Sequence, residues 1–302
     1  VVKTVIFLMI ICLWFLLPGT VQADTTIYIP IVEAKNFYTY YWPMVNMPLQ
    51  LPKQGISSPY SNCNTILQSS AYWYYDWSAK PGQCYGEVRA FAMLWGWYDE
   101  GELPAIPWYV EGVMGGNECD LPQQCNVSPQ KYATLWRRIE QAYPEHKLIA
   151  PAPSPWGRAW LSNMVAEYQR LYHTNPRFDK GLAMHCYFPT AAECLAELEW
   201  YKQMAQQLNA PGVWITEWAI LPCPRTTMNV LGQPSINAAL VEADKLRQVF
   251  EADPQVLGHA WFADYIRNEE WWAFQPVQCD TSLFDQSGYL TAFGLWYTMG
   301  RR

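Results

Sequence analysis

Short apolar runs alternate along this chain with longer segments of helical period. Eight runs read as strands: residues 53–58, 70–77, 88–95, 108–118, 147–150, 181–187, 212–217 and 256–263. Several are apolar at every position, as parallel strands buried on both faces must be. Between the fifth run and its predecessor, Tyr132, Leu135, Trp136, Ile139 and Tyr143 recur at helical intervals, which places them on one helix face. Ser128 and Pro129 start that helix as N-cap and first helical residue. Further helical patterns cover residues 158–173, a stretch opened by the capping box Thr190 to Glu193, residues 235–250 and residues 291–299. No helix of comparable length is expected between the second and third strands or the third and fourth. Alternating strands and helices imply βαβ units around a parallel sheet. Eight of them over about 250 residues predict an α/β fold, a single-domain (β/α)8 TIM barrel. An open doubly wound sheet competes, but the chain has no glycine-rich phosphate loop to support it.

Two of the predicted strands end in a glutamate. Residues 108–118 run from Trp108 through Gly115 and Gly116 to Asn117 and Glu118, and residues 212–217 end at Glu217. Barrels of this kind carry their chemistry at the C-terminal ends of strands. A lone glutamate there would read as a solvated loop residue. Two of them, both set among aromatics, match the acid/base and nucleophile of retaining glycoside hydrolysis, which stand about 5–5.5 Å apart.

Composition narrows the partner. The chain is 51% hydrophobic and 16% charged, with a formal charge of −7 and no basic run. That is a globular composition, and it argues against nucleic acid and anionic membrane surfaces. A neutral, polar substrate fits better. Residues 1–23 read as a signal peptide: Lys3 is the basic start, Val5 to Leu17 the apolar core, and Val21-Gln22-Ala23 the cleavage site. A membrane anchor competes, but the apolar run is shorter than the roughly 20 residues of a span. The expected product is secreted, with no stable membrane association after cleavage. Residues 24–50, rich in proline and aromatics, read as an N-terminal extension or linker, and residues 51–302 as the catalytic domain.

Eight cysteines follow the signal: Cys63, Cys84, Cys119, Cys125, Cys186, Cys194, Cys223 and Cys279. An even count in an exported chain points to disulfides. Proximity along the chain favours Cys63–Cys84, Cys119–Cys125 and Cys186–Cys194, leaving Cys223 with Cys279. A zinc site competes, yet there is no CxxC pair and the four histidines are scattered. No metal and no cofactor are expected.

Seven motifs in order then resemble clan-A glycoside hydrolases, and within them the Asl-type catalytic-core family, glycoside hydrolase family 128. These are SAYWYYDWS at 70–78, FAMLWG at 91–96, GGNECD at 115–120, MHCYF at 184–188, WITEWA at 214–219, HAWFAD at 259–264 and GYLTAFG at 288–294. The chain departs from the family pattern at Ala92 and Cys119, where proline is usual, and at Gly116, where a bulky residue is usual. The resemblance implies an endo-β-1,3-glucanase with Glu118 as acid/base and Glu217 as nucleophile, acting as a monomer on polysaccharide. Other β-glycans (β-1,4, β-1,6 or mannan) and a non-catalytic carbohydrate-binding barrel remain alternatives. Asn117 is expected to bind the sugar 2-hydroxyl. His185 and Tyr187, two apart on one strand, face the same side, and either could orient Glu217. Of the 17 tryptophans, Trp77, Trp95, Trp218 and Trp261 fall near strand ends and are the expected sugar-stacking platforms. Trp136, Trp160 and Trp200 lie on helices and are assigned to packing or surface. Asp76 and Asp120 are expected to support the site.

Overall fold

The computed structural model describes residues 53–60, 62–82, 84, 86–96, 101–221, 236–266 and 281–299. These residues belong to one compact unit, residues 52–302. The expected signal peptide, the 24–50 extension, Cys223 and Cys279 lie outside the described residues.

The strands are β1 (Gln54–Ser57), β2 (Trp73–Tyr75), β3 (Arg89–Ala90), β4 (Ala92–Met93), β5 (Val113–Met114), β6 (Leu148–Ile149), β7 (Leu182–Phe188), β8 (Val213–Ile220) and β9 (Val256–Phe262). The helices are α1 (Cys63–Gln68), α2 (Pro129–Ala142), α3 (Arg158–Tyr172), α4 (Ala191–Leu208), α5 (Ile236–Ala252) and α6 (Ala292–Met299). All named strand pairs are parallel, in two sheets of order β3-β2-β1-β9-β8-β7 and β4-β5-β6.

The third expected strand divides into β3 and β4 because it passes from one sheet to the other. Phe91 N–H donates to Tyr74 O at 3.0 Å, and Ala92 N–H donates to Gly112 O at 3.1 Å. At the other joint Ile149 bridges Gly181, and Ala150 N–H donates to Gly181 O at 3.0 Å. The eight expected strands thus follow one another in order, with ladders inside each sheet, the two sheets being joined by the chain between β3 and β4 at one edge and by the Ile149–Gly181 bridge at the other. The fourth is shorter than expected. Trp108 is 89% exposed and lies in a turn, so its β-propensity yields to local turn geometry around Pro107. Past Gly115 the pairing continues irregularly, as Asn117 bridges Ala152 and Glu118 N–H donates to Ala152 O at 2.7 Å.

The helices follow their sequence signals. The Ser128 hydroxyl caps α2, with Pro129 in the first turn. Thr190 caps α4 and also donates to Glu193 Oε2 at 2.7 Å. The short α1, capped by Asn62, carries no apolar period and was not expected.

Side chains from alternate strand positions fill two cores. The inner one, within the ring, holds Trp73, Tyr75, Phe91, Met93, Met114, Ile149 and Trp214. The outer one lies between strands and helices. Two glycines make room for the inner indoles: a Cβ on Gly55 would stand 2.1 Å from Trp73 Cε2, and one on Gly258 2.4 Å from Trp214 Cζ3. Strand β8 has one residue more than β7 at mid-strand, so that Met184 pairs Ile215 while His185 pairs Glu217. This bulge at Thr216 reverses the alternation. It turns Glu217 inward and sends Trp218 outward into the outer core.

The expectation for Gly55→Ala follows from this packing. Overfilling a closed core costs about 1–3 kcal/mol, so urea unfolding of the variant should show a lowered midpoint with an unchanged slope. An unchanged midpoint would mean that Trp73 has space to move.

Candidate active site

The two glutamates meet at the C-terminal end of the strands. One oxygen of each carboxylate and His185 Nδ1 lie within 4.8 Å of one another. Glu217, on β8, has a side chain only 6% exposed. Its Oε1 lies 2.9 Å from the Tyr75 hydroxyl and accepts from Trp77 Nε1 at 2.9 Å, and its Oε2 accepts from the Tyr187 hydroxyl at 2.6 Å. The Tyr75 proton is shared with Thr216 O at 3.0 Å. Three neutral donors, from β2, the residues after it, and β7, thus surround one carboxylate. Burial first, and then the Glu217 charge, push the Tyr75 and Tyr187 phenols well above the usual tyrosine range. Both therefore stay protonated and able to donate.

Glu118 is held differently. Its backbone lies in the left-handed region, φ +44°, which costs a non-glycine residue about 1–2 kcal/mol. Its side chain meets His185 Nδ1 at 2.8 Å. Either His185 or Tyr187 was expected to orient Glu217; His185 binds Glu118 and stands 3.6 Å from Glu217 Oε2. Tyr187 takes the expected role. Burial opposes the charged form of His185, but the Glu217 and Glu118 carboxylates, with Asp120 further off, outweigh it and raise the pKa.

Asn117 is buried beside Glu118. Its Nδ2 donates to Gln124 Oε1 at 3.3 Å, and its Oδ1 has no hydrogen-bond partner among the described residues. Asp120 accepts from Ser154 N–H at 2.8 Å and from the Ser154 hydroxyl, so it ties the loop after Glu118 to the loop after β6. Asp76 caps its own turn, accepting from Ser78 and Gly82 N–H.

The tryptophans divide. Trp77 is partly buried and spends its N–H on Glu217. Trp95 is 38% exposed at the mouth, and its carbonyl accepts from Asn117 N–H at 3.0 Å. Trp218 and Trp261 do not serve as platforms. Both are fully buried and stack edge to face at 4.7 Å, and Trp218 does the same with Phe250. The Thr216 bulge turns Trp218 away from the site. Simple alternation does the same for Trp261, because its neighbour Ala260 faces the inner core. Two residues at the site escaped sequence reasoning. Tyr75 shares a strand face with Trp73 and Trp77, a period that could have revealed it. Trp156, after β6, is 78% exposed and stands edge-on to Phe188 at 5.1 Å; no periodicity marks it.

Three of the four expected disulfides are formed: Cys63–Cys84, Cys119–Cys125 and Cys186–Cys194. Among the described residues no helix is long and apolar enough to cross a membrane.

A parallel β/α ring with two carboxylates facing each other at its C-terminal mouth defines a class of glycoside-cleaving enzymes. The glycosyl hydrolase catalytic core family matches residues 55–297, and the chain belongs to it. No curated protein is matched by the chain. Solved structures share the fold. A family 128 (subgroup II) endo-β-1,3-glucanase from Pseudomonas viridiflava is 22% identical with a TM-score of 0.62, covering 82% of this chain and 97% of its own. A subgroup III curdlan-specific exo-β-1,3-glucanase from Blastomyces gilchristii, in complex with glucose, is 19% identical with a TM-score of 0.62 over 82% and 97%. A subgroup I endo-β-1,3-glucanase variant from Amycolatopsis mediterranei, in complex with laminaritriose and laminaribiose, is 19% identical with a TM-score of 0.62 over 82% and 98%.

His185 makes stability depend on pH. Its raised pKa means that the native state holds the proton more tightly than the unfolded chain. That contribution is complete below the ordinary value of about 6.5 and is lost as pH rises through the folded-state value. The stability gap between wild type and His185→Gln in urea should therefore shrink as pH rises above about 6.5. A gap that widens with pH would contradict the assignment.

Proposed function

We propose that this glycoside hydrolase cleaves β-1,3-glucan with retention of anomeric configuration. The observation that carries the reading is the approach of the two carboxylates within 4.8 Å. Retaining pairs stand at about 5–5.5 Å, whereas inverting pairs need about 6.5–9.5 Å to admit a water. The linkage comes from the fold neighbours, which are β-1,3-glucanases.

In this reading Glu217 attacks the anomeric carbon while Glu118 gives its proton to the glycosidic oxygen, and the carbon–oxygen bond breaks. Water then loses a proton to Glu118 and attacks the same carbon, and Glu217 leaves. The donors on Glu217 complement the anion that must attack. The unpartnered Asn117 Oδ1 would accept from the sugar 2-hydroxyl, a contact that strengthens at the transition state. Trp77 and Trp95 flank the reacting sugar. Trp156 follows Ser154, which is bonded to Asp120 on the loop after Glu118, and would stack on a leaving-group sugar.

The working domain is residues 51–302, secreted after removal of residues 1–23 and active as a monomer. The three disulfides fit an oxidising compartment. No cofactor takes part.

Reducing-sugar release from linear β-1,3-glucan should fall by about 10³-fold or more in both Glu118→Gln and Glu217→Gln, since each removes a reacting group. Wild-type activity only on a β-1,4- or β-1,6-glucan or a mannan would overturn the linkage. Undiminished activity in either variant would overturn the site. Trp156→Ala should raise KM for long chains several-fold with little change in kcat, because stacking of this kind is spent on binding. Unchanged KM would remove Trp156 from the substrate path.

A further inference from the structure

The two carboxylates are positioned by unlike means. Glu217 is gripped through its side chain by Tyr75, Trp77 and Tyr187. Glu118 has His185 on its side chain, and the rest of its restraint is in the backbone around it. Leu121 N–H donates to Glu118 O at 2.9 Å, Cys125 N–H to Asn117 O at 3.3 Å, and Val127 N–H to Cys119 O at 3.0 Å. Gln124 fixes the Asn117 amide. The disulfide Cys119–Cys125 closes this span across a sequence separation of 6, with Cα atoms 4.2 Å apart, and both cysteines are buried. Gly116 is part of the same arrangement, since a Cβ there would stand 2.5 Å from Cys119 Sγ and 3.0 Å from the Tyr132 ring. The bridge occupies the space that a side chain at position 116 would take. In the sequence pattern, Gly116 and Cys119 are the two departures within a single motif. The geometry explains why they occur together.

We propose that the Cys119–Cys125 disulfide, seated against Gly116 and seconded by Gln124, is the positioning device for the acid/base Glu118. It holds Glu118 in the left-handed conformation, φ +44°, that aims the carboxyl at the glycosidic oxygen. These are positioning residues: they act on Glu118 through its backbone and through Asn117. The inference rests on the role proposed for Glu118. Displacing a reacting group by about 1 Å can cost about 10²-fold in rate.

The test compares wild type, the double variant Cys119→Ser/Cys125→Ser and Gln124→Ala on two substrates. One is linear β-1,3-glucan, whose leaving alcohol needs a proton. The other is 2,4-dinitrophenyl β-laminaritrioside, whose leaving phenolate needs none. The double variant should lose about 10–100-fold in kcat on the glucan, while its first-turnover burst of dinitrophenolate stays within about twofold of wild type. Azide, which attacks the glycosyl-enzyme without base assistance, should restore steady turnover of the aryl glycoside. Gln124→Ala keeps the bridge and cannot fail through its loss. Because its partner Asn117 is also placed on the sugar 2-hydroxyl, some loss on both substrates reports that contact, and a loss about threefold larger on the glucan than on the burst reports Glu118. Equal losses on both substrates, or no loss on either, in the double variant with a native circular-dichroism spectrum would overturn the proposal. Wild type inactive on both substrates would instead overturn the β-1,3-glucanase reading itself.

Discussion

A carboxylate withdrawn from water costs several kcal/mol unless donors replace the water, and Glu217 is met by three. Tyr75 and Trp77 come from β2 and the turn after it, and Tyr187 from β7. The three donors converge only because β2, β7 and β8 point the same way and end at the same face. Parallel order is thus a condition of the site. Trp77 itself adopts a left-handed backbone, φ +59°, to bring its indole N–H over the carboxylate.

The floor beneath these groups is rigid for a packing reason. Trp73, Trp214 and Phe91 meet one another at ring distances of 4.9–5.2 Å inside the ring. Trp73 Nε1 donates to Lys53 O and Trp214 Nε1 to Lys180 O, so neither indole buries an unmet donor. Glycine at positions 55 and 258 is the other half of this arrangement. Big aromatics and absent side chains are complementary solutions to filling a narrow ring at interior density.

The opposing pair of carboxylates therefore shows a division of labour. Glu217, the proposed nucleophile, is surrounded by side-chain donors. Glu118, the proposed acid/base, has fewer side-chain contacts and is fixed through its loop, with Asp120 and Ser154 joining that loop to the next. His185 lies between them, 2.8 Å from one and 3.6 Å from the other. Its position couples the two charges without donating fully to both.

Much of this was legible in the residues. Apolar runs and helical periods located all eight strands and the five long helices, since both patterns arise from local burial. The glutamates stood out as carboxylates closing apolar runs, although β8 continues past Glu217 to Ile220, and three cysteine pairs followed from closeness along the chain. What the sequence could not settle was direction. Period-two alternation predicts Thr216, not Glu217, facing inward, and would leave Trp218 beside the substrate. One extra residue on β8 reverses that phase, and only the pairing with β7 shows where it sits. The choice of His185 for Glu118 and Tyr187 for Glu217 likewise depends on which loop lies over which strand end. Composition and period are set by each segment's own burial, but facing and partnership are set by neighbours distant along the chain, and they exist only once the ring of strands has formed.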